Sequence, residues 1–351
     1  MALLNDMMMK PTIVYFSGTG NVAYVARQLE DAFLNAGISP TLLTLESKGG
    51  GAIDARIGTV ENEGEGARTE GLAADGEADH PQLEGETASL AADRGAVPLS
   101  PPSDLSDSDF LVIVFPVHAF DAPAPIFDFV ARLNAEQRCN TAVFSVSGGG
   151  DVISNRACRE RLIRKLERKG FTVVYEAELT MMSNFLFPTP PPAATALLHI
   201  LPEKCALVVD HLQAGIDCRI QPPLFDRMCS LIGPLERSRS GQGLFGRHIR
   251  AGSACTACAW CVKSCPRGNI IMHNGIPSFG EKCVICFRCL YGCPQNALRA
   301  EVGQFLLIKE GYSLKALLDY AKDQKPDEEK PLADELKGFL WAGVRNYLGL
   351  E

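Results

Sequence analysis

Two identical cysteine runs restrict this 351-residue chain more tightly than anything else in it. Cys255-x2-Cys258-x2-Cys261-x3-Cys265-Pro266 recurs as Cys283-x2-Cys286-x2-Cys289-x3-Cys293-Pro294, offset by 28 residues at every position. Thiolates are metal ligands. Three cysteines spaced three apart in a curling loop can reach three corners of one compact group. The fourth, just ahead of a proline that stops the loop, points toward the neighbouring run.

Two metal chemistries use such thiols. Zinc ribbons join two C-x2-C pairs across a longer loop and need four ligands in all. Two runs of four suit two iron–sulfur cubanes, with the fourth cysteine of each run serving the other cluster. The second reading accounts for all eight residues. It assigns Cys255, Cys258, Cys261 and Cys293 to one [4Fe–4S] cluster, and Cys283, Cys286, Cys289 and Cys265 to the other. Crossed ligation would also tie together a unit of under 50 residues with little apolar core. Cys139, Cys158, Cys205, Cys218 and Cys229 lack ligand spacing and read as ordinary thiols. Thirteen cysteines without a secretory leader suit metal or redox use rather than a disulfide framework.

The N-terminal half has a different logic. Ile13–Phe16 is an apolar strand, followed by Ser17-Gly18-Thr19-Gly20-Asn21 and then apolar residues at Val22, Val25, Ala26, Leu29, Ala32 and Phe33. That spacing predicts an amphipathic helix, with Gly37 as its stop. Thr41–Glu46 is a second strand. "DFLVIVF", "TAVFSVSGGG" and "FTVVYEAEL" supply three more, alternating with helices in "IFDFVARL", "SNRACRERLIRKLERKG" and "PEKCALVVDHLQAG". The alternation predicts an α/β doubly wound parallel sheet of five strands over residues 10–215.

Residues 47–100 interrupt it with eleven Asp/Glu, four Lys/Arg, ten glycines and no aromatic residue. Such a segment buries too little apolar surface to offset its ordering entropy, and reads as an acidic flexible insertion. It carries most of the net charge of −8, a balance that argues against nucleic acid. Residues 216–252 read as a connector, 253–310 as the cysteine unit, and 311–351 as a helical tail. The absence of a leader, and the Pro202-Glu203-Lys204 break in the most apolar stretch, predict a cytoplasmic chain without a membrane span.

Ser17 to Val22 suits an anion. Hydroxyls and glycines let backbone N–H groups approach it at a helix N-terminus. The stretch lacks the G-K-[ST] ending of a Walker loop and the third glycine of a dinucleotide fingerprint. It resembles the Ser/Thr-x-Thr-Gly-x-Thr phosphate loop of the flavodoxin family, with Val22 replacing the last hydroxyl, a loss of roughly 0.5–1.5 kcal/mol. The resemblance implies FMN, with its ring between the loops Pro116-Val117-His118-Ala119-Phe120 and Ser147-Gly148-Gly149-Gly150. Neither loop has the stacking Trp or Tyr common in flavodoxins.

The whole chain resembles the flavodoxin–ferredoxin fusion proteins of anaerobes, in which a two-[4Fe–4S] ferredoxin domain follows the flavodoxin-like one. This implies a small α+β second domain and a relay of low-potential electrons between clusters, FMN and partner oxidoreductases, donor and acceptor. Two alternatives remain. One is an FMN-dependent iron–sulfur oxidoreductase acting on a small molecule, with His118, Asp121 or Asp151 over the ring. The other is a flavin-free fold that only docks partners.

Overall fold

The computed structural model describes residues 9–48, 52–57, 105, 108–152, 155–324 and 332–350. The first half alternates β1 (Pro11–Tyr15), α1 (Asn21–Asn35), β2 (Thr41–Lys48), β3 (Ala52–Ile57), β4 (Phe110–Pro116), α2 (Ala124–Arg132), β5 (Asn140–Ser147), α3 (Glu160–Arg168), β6 (Thr172–Thr180) and α4 (Pro191–Gln213). The sheet order is β3-β2-β1-β4-β5-β6. Its five parallel members, β2-β1-β4-β5-β6, run in the flavodoxin-like 2-1-3-4-5 order.

Alternation along β1 sorts the core into two layers. Ile13 and Tyr15 face one side, with Val25, Leu29 and Phe33 of α1 and Leu198, Leu201 and Val209 of α4. Val14 and Phe16 face the other, with Ile126, Phe129 and Val130 of α2 and Leu162, Ile163 and Leu166 of α3. The helix expected from the Val22–Phe33 spacing is thus present, and the named residues are its buried face.

Three sequence expectations change. The first residues of the 47–100 stretch are ordered: they extend β2 to Lys48 and add β3 as an antiparallel edge strand. The remainder of that stretch lies outside the described residues. Within the described residues 155–170, the helix expected from Ser154 to Gly170 is formed over Glu160–Arg168. Conversely, α4 runs unbroken through Pro202 and begins at Pro191. Among the described residues it is the one helix long and apolar enough to cross a membrane by length and composition, and half of its most apolar window is buried in the protein.

Beyond α4 come α5 (Leu224–Cys229), α6 (Ile232–Glu236) and α7 (Arg239–Arg247), then a small α+β unit. In that unit β7 (Ile249–Ala251) pairs with β10 (Leu298–Ala300), and β8 (Ile270–His273) with β9 (Ile276–Phe279). The short helices α8 (Trp260–Ser264) and α9 (Arg288–Tyr291) sit at the 28-residue offset of the cysteine runs. The tail returns to the sheet: α10 (Leu314–Asp323) packs on the α1–α4 layer. The last helices, α11 (Leu332–Glu335) and α12 (Ala342–Leu348), cover Ala193 and Leu197 of α4.

A charge is locked between β5 and β6. The Arg159 side chain is fully buried; its Nε lies 3.0 Å from Glu176 Oε2 and its Nη1 donates to Ser145 Oγ at 2.5 Å. Glu176 also accepts from Arg219 Nε and from the Ile220 backbone, so its charge is met from three directions. Removing one member of a buried pair strands the other, at about 3–5 kcal/mol. Arg159→Ala is therefore expected to lower stability by at most about that amount in urea unfolding, since Arg219 and the Ile220 N–H still meet Glu176. The exposed pair Lys322–Asp319 should contribute under about 1 kcal/mol.

Candidate functional site

The eight run cysteines line two cavities. Cys255, Cys258, Cys261 and Cys293 surround one of about 350 Å³, counting space open to solvent, together with Trp260 and Met272. Cys265, Cys283, Cys286 and Cys289 surround the other, of about 400 Å³, with Phe287, Ile270 and Leu290. Each set takes three cysteines from one run and the fourth from the other. Among the described residues, no three His, Cys, Asp or Glu side chains converge on a point suited to a single metal ion.

The backbone around these thiols is strained in a repeating way. Ala257 and Ala259 flank Cys258 with φ of 56° and 57°; Ile285 and Phe287 flank Cys286 with 51° and 59°. Gly268 and Asn296, again 28 apart, have φ of 56° and 47°. A left-handed alanine, isoleucine or phenylalanine costs of order 1–3 kcal/mol. In return the curled backbone aims N–H groups inward. Asn269 N donates to Cys265 Sγ and Ala297 N to Cys293 Sγ, both at 3.3 Å, and Ile285 N to Cys283 Sγ at 3.4 Å. Such concavities of N–H groups suit anionic ligands, iron–sulfur sites among them. Burial pushes the Cys289 thiol well up, and the adjoining thiols of Cys286, Cys283, Cys265 and Cys261 push it further.

The second run is docked on the carboxyl ends of the parallel strands. The Arg288 guanidinium donates to Ser17 O at 2.7 Å, Gly18 O at 2.9 Å, Ser264 O at 3.0 Å and Glu46 Oε1 at 2.9 Å. Gly18 is obligatory here, because a Cβ would stand 2.7 Å from Cys286 O. Val284 enters the α2–α3 core layer, and Arg267 bonds Asp128 of α2 at 2.9 Å.

The Ser17–Val22 loop sits partly under this cover. Among the described residues, the backbone N–H groups of Gly18, Thr19, Gly20 and Asn21 have no protein acceptor. Ser17 Oγ accepts from Ala23 N at 3.2 Å. Those donors fit an anion. The other side chains are committed elsewhere. Thr19 Oγ1 accepts from Asn184 Nδ2 at 2.6 Å. Asn21 donates to Met182 O at 2.7 Å and accepts from the Tyr312 hydroxyl. Val22 is buried in the core.

The two loops expected beside the ring are also engaged. Ala119 and Phe120 take φ of 44° and 63°, closing a turn between His118 and Asp121. Pro116 ends β4, and Val117 N continues the ladder to Val146 O. Burial lowers the pKa of His118 to about 4, partly offset by a hydrogen bond to the Val284 backbone. It is uncharged at neutral pH. Asp121 is buried between Arg237 at 2.6 Å and Arg161 at 3.3 Å. Asp151 lies 3.9 Å from Arg156. In the other loop, Gly148 rests on Ser183, and Gly150 and the Gly149 carbonyl lie against Gly343 of α12.

The acid that reading the sequence missed is Glu178. Its Oε1 accepts from Ser147 Oγ, which in turn accepts from Gly150 N and Asn155 Nδ2 at 3.2 Å, so Glu178 braces the glycine loop. Its other oxygen is enclosed without a partner. Burial raises its pKa to about 7, against the opposing pull of Ser147 and Arg159. A glutamate in the apolar run "TVVYEAELT" was the available signal. Arg288, Asn184 and Tyr312 were also missed, and nothing in their local sequence marks them. Of the remaining cysteines, Cys158 and Cys205 are buried, with thiols pushed up to about 12 by burial.

No protein-family model matches the chain, and no curated protein matches it. Among solved structures it is similar to Megasphaera elsdenii flavodoxin in its two-electron reduced form. The identity is 16%, over 48% of this chain and 84% of that one, with a TM-score of 0.28. It is also similar to a flavodoxin from the domain Archaea (13%, 58% and 100%, TM-score 0.29). A third is a WrbA-like flavodoxin protein from Agrobacterium tumefaciens (10%, 59% and 99%, TM-score 0.34).

Glu178 makes the fold pH-sensitive. Its folded pKa lies above the ordinary 4.5, so between about 4.5 and 7 the native state holds a proton that the unfolded chain has released. Its contribution therefore falls as pH rises through that window. His118 acts oppositely, favouring the fold as pH rises from about 4 to 6.5. In urea titrations at about pH 5 and pH 8, Glu178→Gln should gain stability relative to wild type at the higher pH. An unchanged difference would mean that Glu178 is ionised throughout.

Proposed function

We propose that the chain is an electron-transfer protein that carries two [4Fe–4S] clusters in its cysteine-lined cavities and FMN at the strand-end loops, and passes electrons to and from partner oxidoreductases. The observation that carries this reading is the division of eight thiols into two sets of four, three from one run and one from the other, on a backbone strained identically at a 28-residue interval. Each bound cluster supplies one-electron exchange and the flavin one- or two-electron exchange.

The chain's own groups then have definite work. The eight cysteines hold the clusters, and the N–H donors of Ile285, Asn269 and Ala297 disperse charge on the sulfurs. The N–H groups of Gly18 to Asn21 and the Ser17 hydroxyl would bind the flavin phosphate. Residues 116–120 and 147–150 would flank the ring. Arg288 and Gly18 bring the second cavity against the phosphate loop, which replaces a diffusive encounter by a fixed one. The relay is favoured over a substrate-transforming enzyme by the acids near the ring loops: Asp121 is held between two arginines, and His118 is neutral and bonded to the backbone.

The flavin-free alternative also has an observation behind it. Thr19, Asn21 and Val22 are turned to protein partners, and Gly148 and Gly150 are covered. On that reading the sheet is a platform for the cluster unit.

Metal and flavin analysis after strictly anaerobic purification separates the readings. The relay requires about eight irons, eight sulfides and one FMN per chain. The same iron without flavin, even after incubation with FMN, would leave the platform. Zinc in place of iron would overturn both. Crossed ligation has its own test. Cys255→Ala with Cys293→Ala removes two ligands of one cavity and should leave about four irons. Cys255→Ala with Cys265→Ala touches both cavities and should disturb both clusters. The reverse pattern would sink the assignment.

A further inference from the structure

The helical segment formed by α5 and α6 is inside out. Its small and polar residues Asp226, Ser230 and Gly233 are buried against the body of the protein, with Gly233 packed on Asp121. Its large apolar residues face solvent. Leu224, Phe225, Met228, Leu231, Ile232 and Leu235 are exposed by between 49% and 77%. The single interruption, at Ser230–Leu231, follows from Pro234, which has no N–H to offer the Ser230 carbonyl.

This stripe is not scattered surface. Phe225, Met228, Ile232 and Leu235 follow the 3-4-3 spacing of a helix that packs against another helix, and Leu224 and Leu231 widen the seam. At roughly 150–250 Å² for a large side chain, these exposures leave on the order of 600–900 Å² of apolar area. A standard interface takes about 800 Å² from each partner.

We propose that this stripe is a self-association surface, through which two copies of the chain pair their α5–α6 segments antiparallel about a two-fold axis. Three observations select a second copy. The seam spacing fits a helix rather than a flat surface. The area approaches one partner's share of a stable dimer. Among the described side chains, the arginines around the stripe are paired: Arg219 with Glu167 and Glu176, Arg227 with Glu160, Arg237 with Asp121 and Arg247 with Glu281. An anionic membrane would call for free cations beside the apolar face. A neutral apolar stripe is complementary to itself, as a two-fold contact requires. The buried side of the same segment rests on Asp121, at the end of the His118 turn, so dimerisation would brace the strand-end loops of both copies.

The test is the mass of the anaerobically purified, cofactor-loaded full chain by sedimentation velocity, across micromolar to submillimolar concentrations. Twice the 37.9 kDa monomer mass is expected for wild type. Ile232→Glu and Met228→Glu should each raise the dimer dissociation constant by about 100-fold or more, the loss expected for a central interface residue. Unchanged cluster absorbance and thermal unfolding would show that these variants fold. A wild-type monomer throughout the range would overturn the proposal. So would a dimer that both variants leave intact. Monomer that floats with phosphatidylglycerol vesicles, and ceases to in Ile232→Glu, would reassign the stripe to lipid.

Discussion

The Arg288 guanidinium joins the two halves of this molecule. It caps the carbonyls of Ser17 and Gly18, at the point where β1 has ended and α1 has not begun, and so supplies donors that the sheet cannot. Glu46, at the end of β2, balances its charge. Because Arg288 belongs to the second cysteine run, this contact sets that run on the strand ends. Val284 then enters the core, half-buried His118 bonds to its backbone, and Cys286 rests on Gly18. The carboxyl end of a doubly wound sheet becomes an internal interface.

That arrangement concentrates cost in a small volume. Four non-glycine residues beside Cys258 and Cys286 adopt left-handed backbone, and half-buried thiols crowd next to one another. Neither feature stabilises an apoprotein. Both suit a polyanionic group held by thiolates and inward N–H donors, which would offset strain and desolvation together. The sheet, by contrast, stabilises itself. Its apolar layers are continuous, and its buried charges, Arg159 and Glu176, are matched to each other and to neighbouring donors.

The tail and connector also act on the strand ends. Tyr312 holds Asn21, Leu314 lies on Gly20, and Gly343 lies on Gly150. Arg237, from the connector, pairs with Asp121 and spans to the Ala122 carbonyl. Each loop that a flavin would touch is therefore positioned by a segment more than 100 residues away in sequence. If the proposed flavin binds there, its affinity would depend on segments outside the flavodoxin-like domain.

Local periodicity determined the sheet and its first helix. Val22, Val25, Leu29 and Phe33 recur at 3.6 residues, and the strands are apolar runs that need burial on both faces. The 28-residue cysteine offset likewise recurs in the backbone, Ala257 and Ala259 matching Ile285 and Phe287, because a repeated sequence folds into a repeated turn. Composition misjudged residues 52–57, since an edge strand needs only one neighbour's hydrogen bonds and little apolar burial of its own. It also broke α4 at Pro202, where packing on both sides of the proline carries the helix through. What only the tertiary structure decided was the relation of the halves. Arg288, Asn184, Tyr312 and Glu178 are ordinary polar residues in their own segments. Their partners are distant in sequence or belong to loops that exist only once the sheet has formed, and pairing across such distances has no local periodicity to announce it.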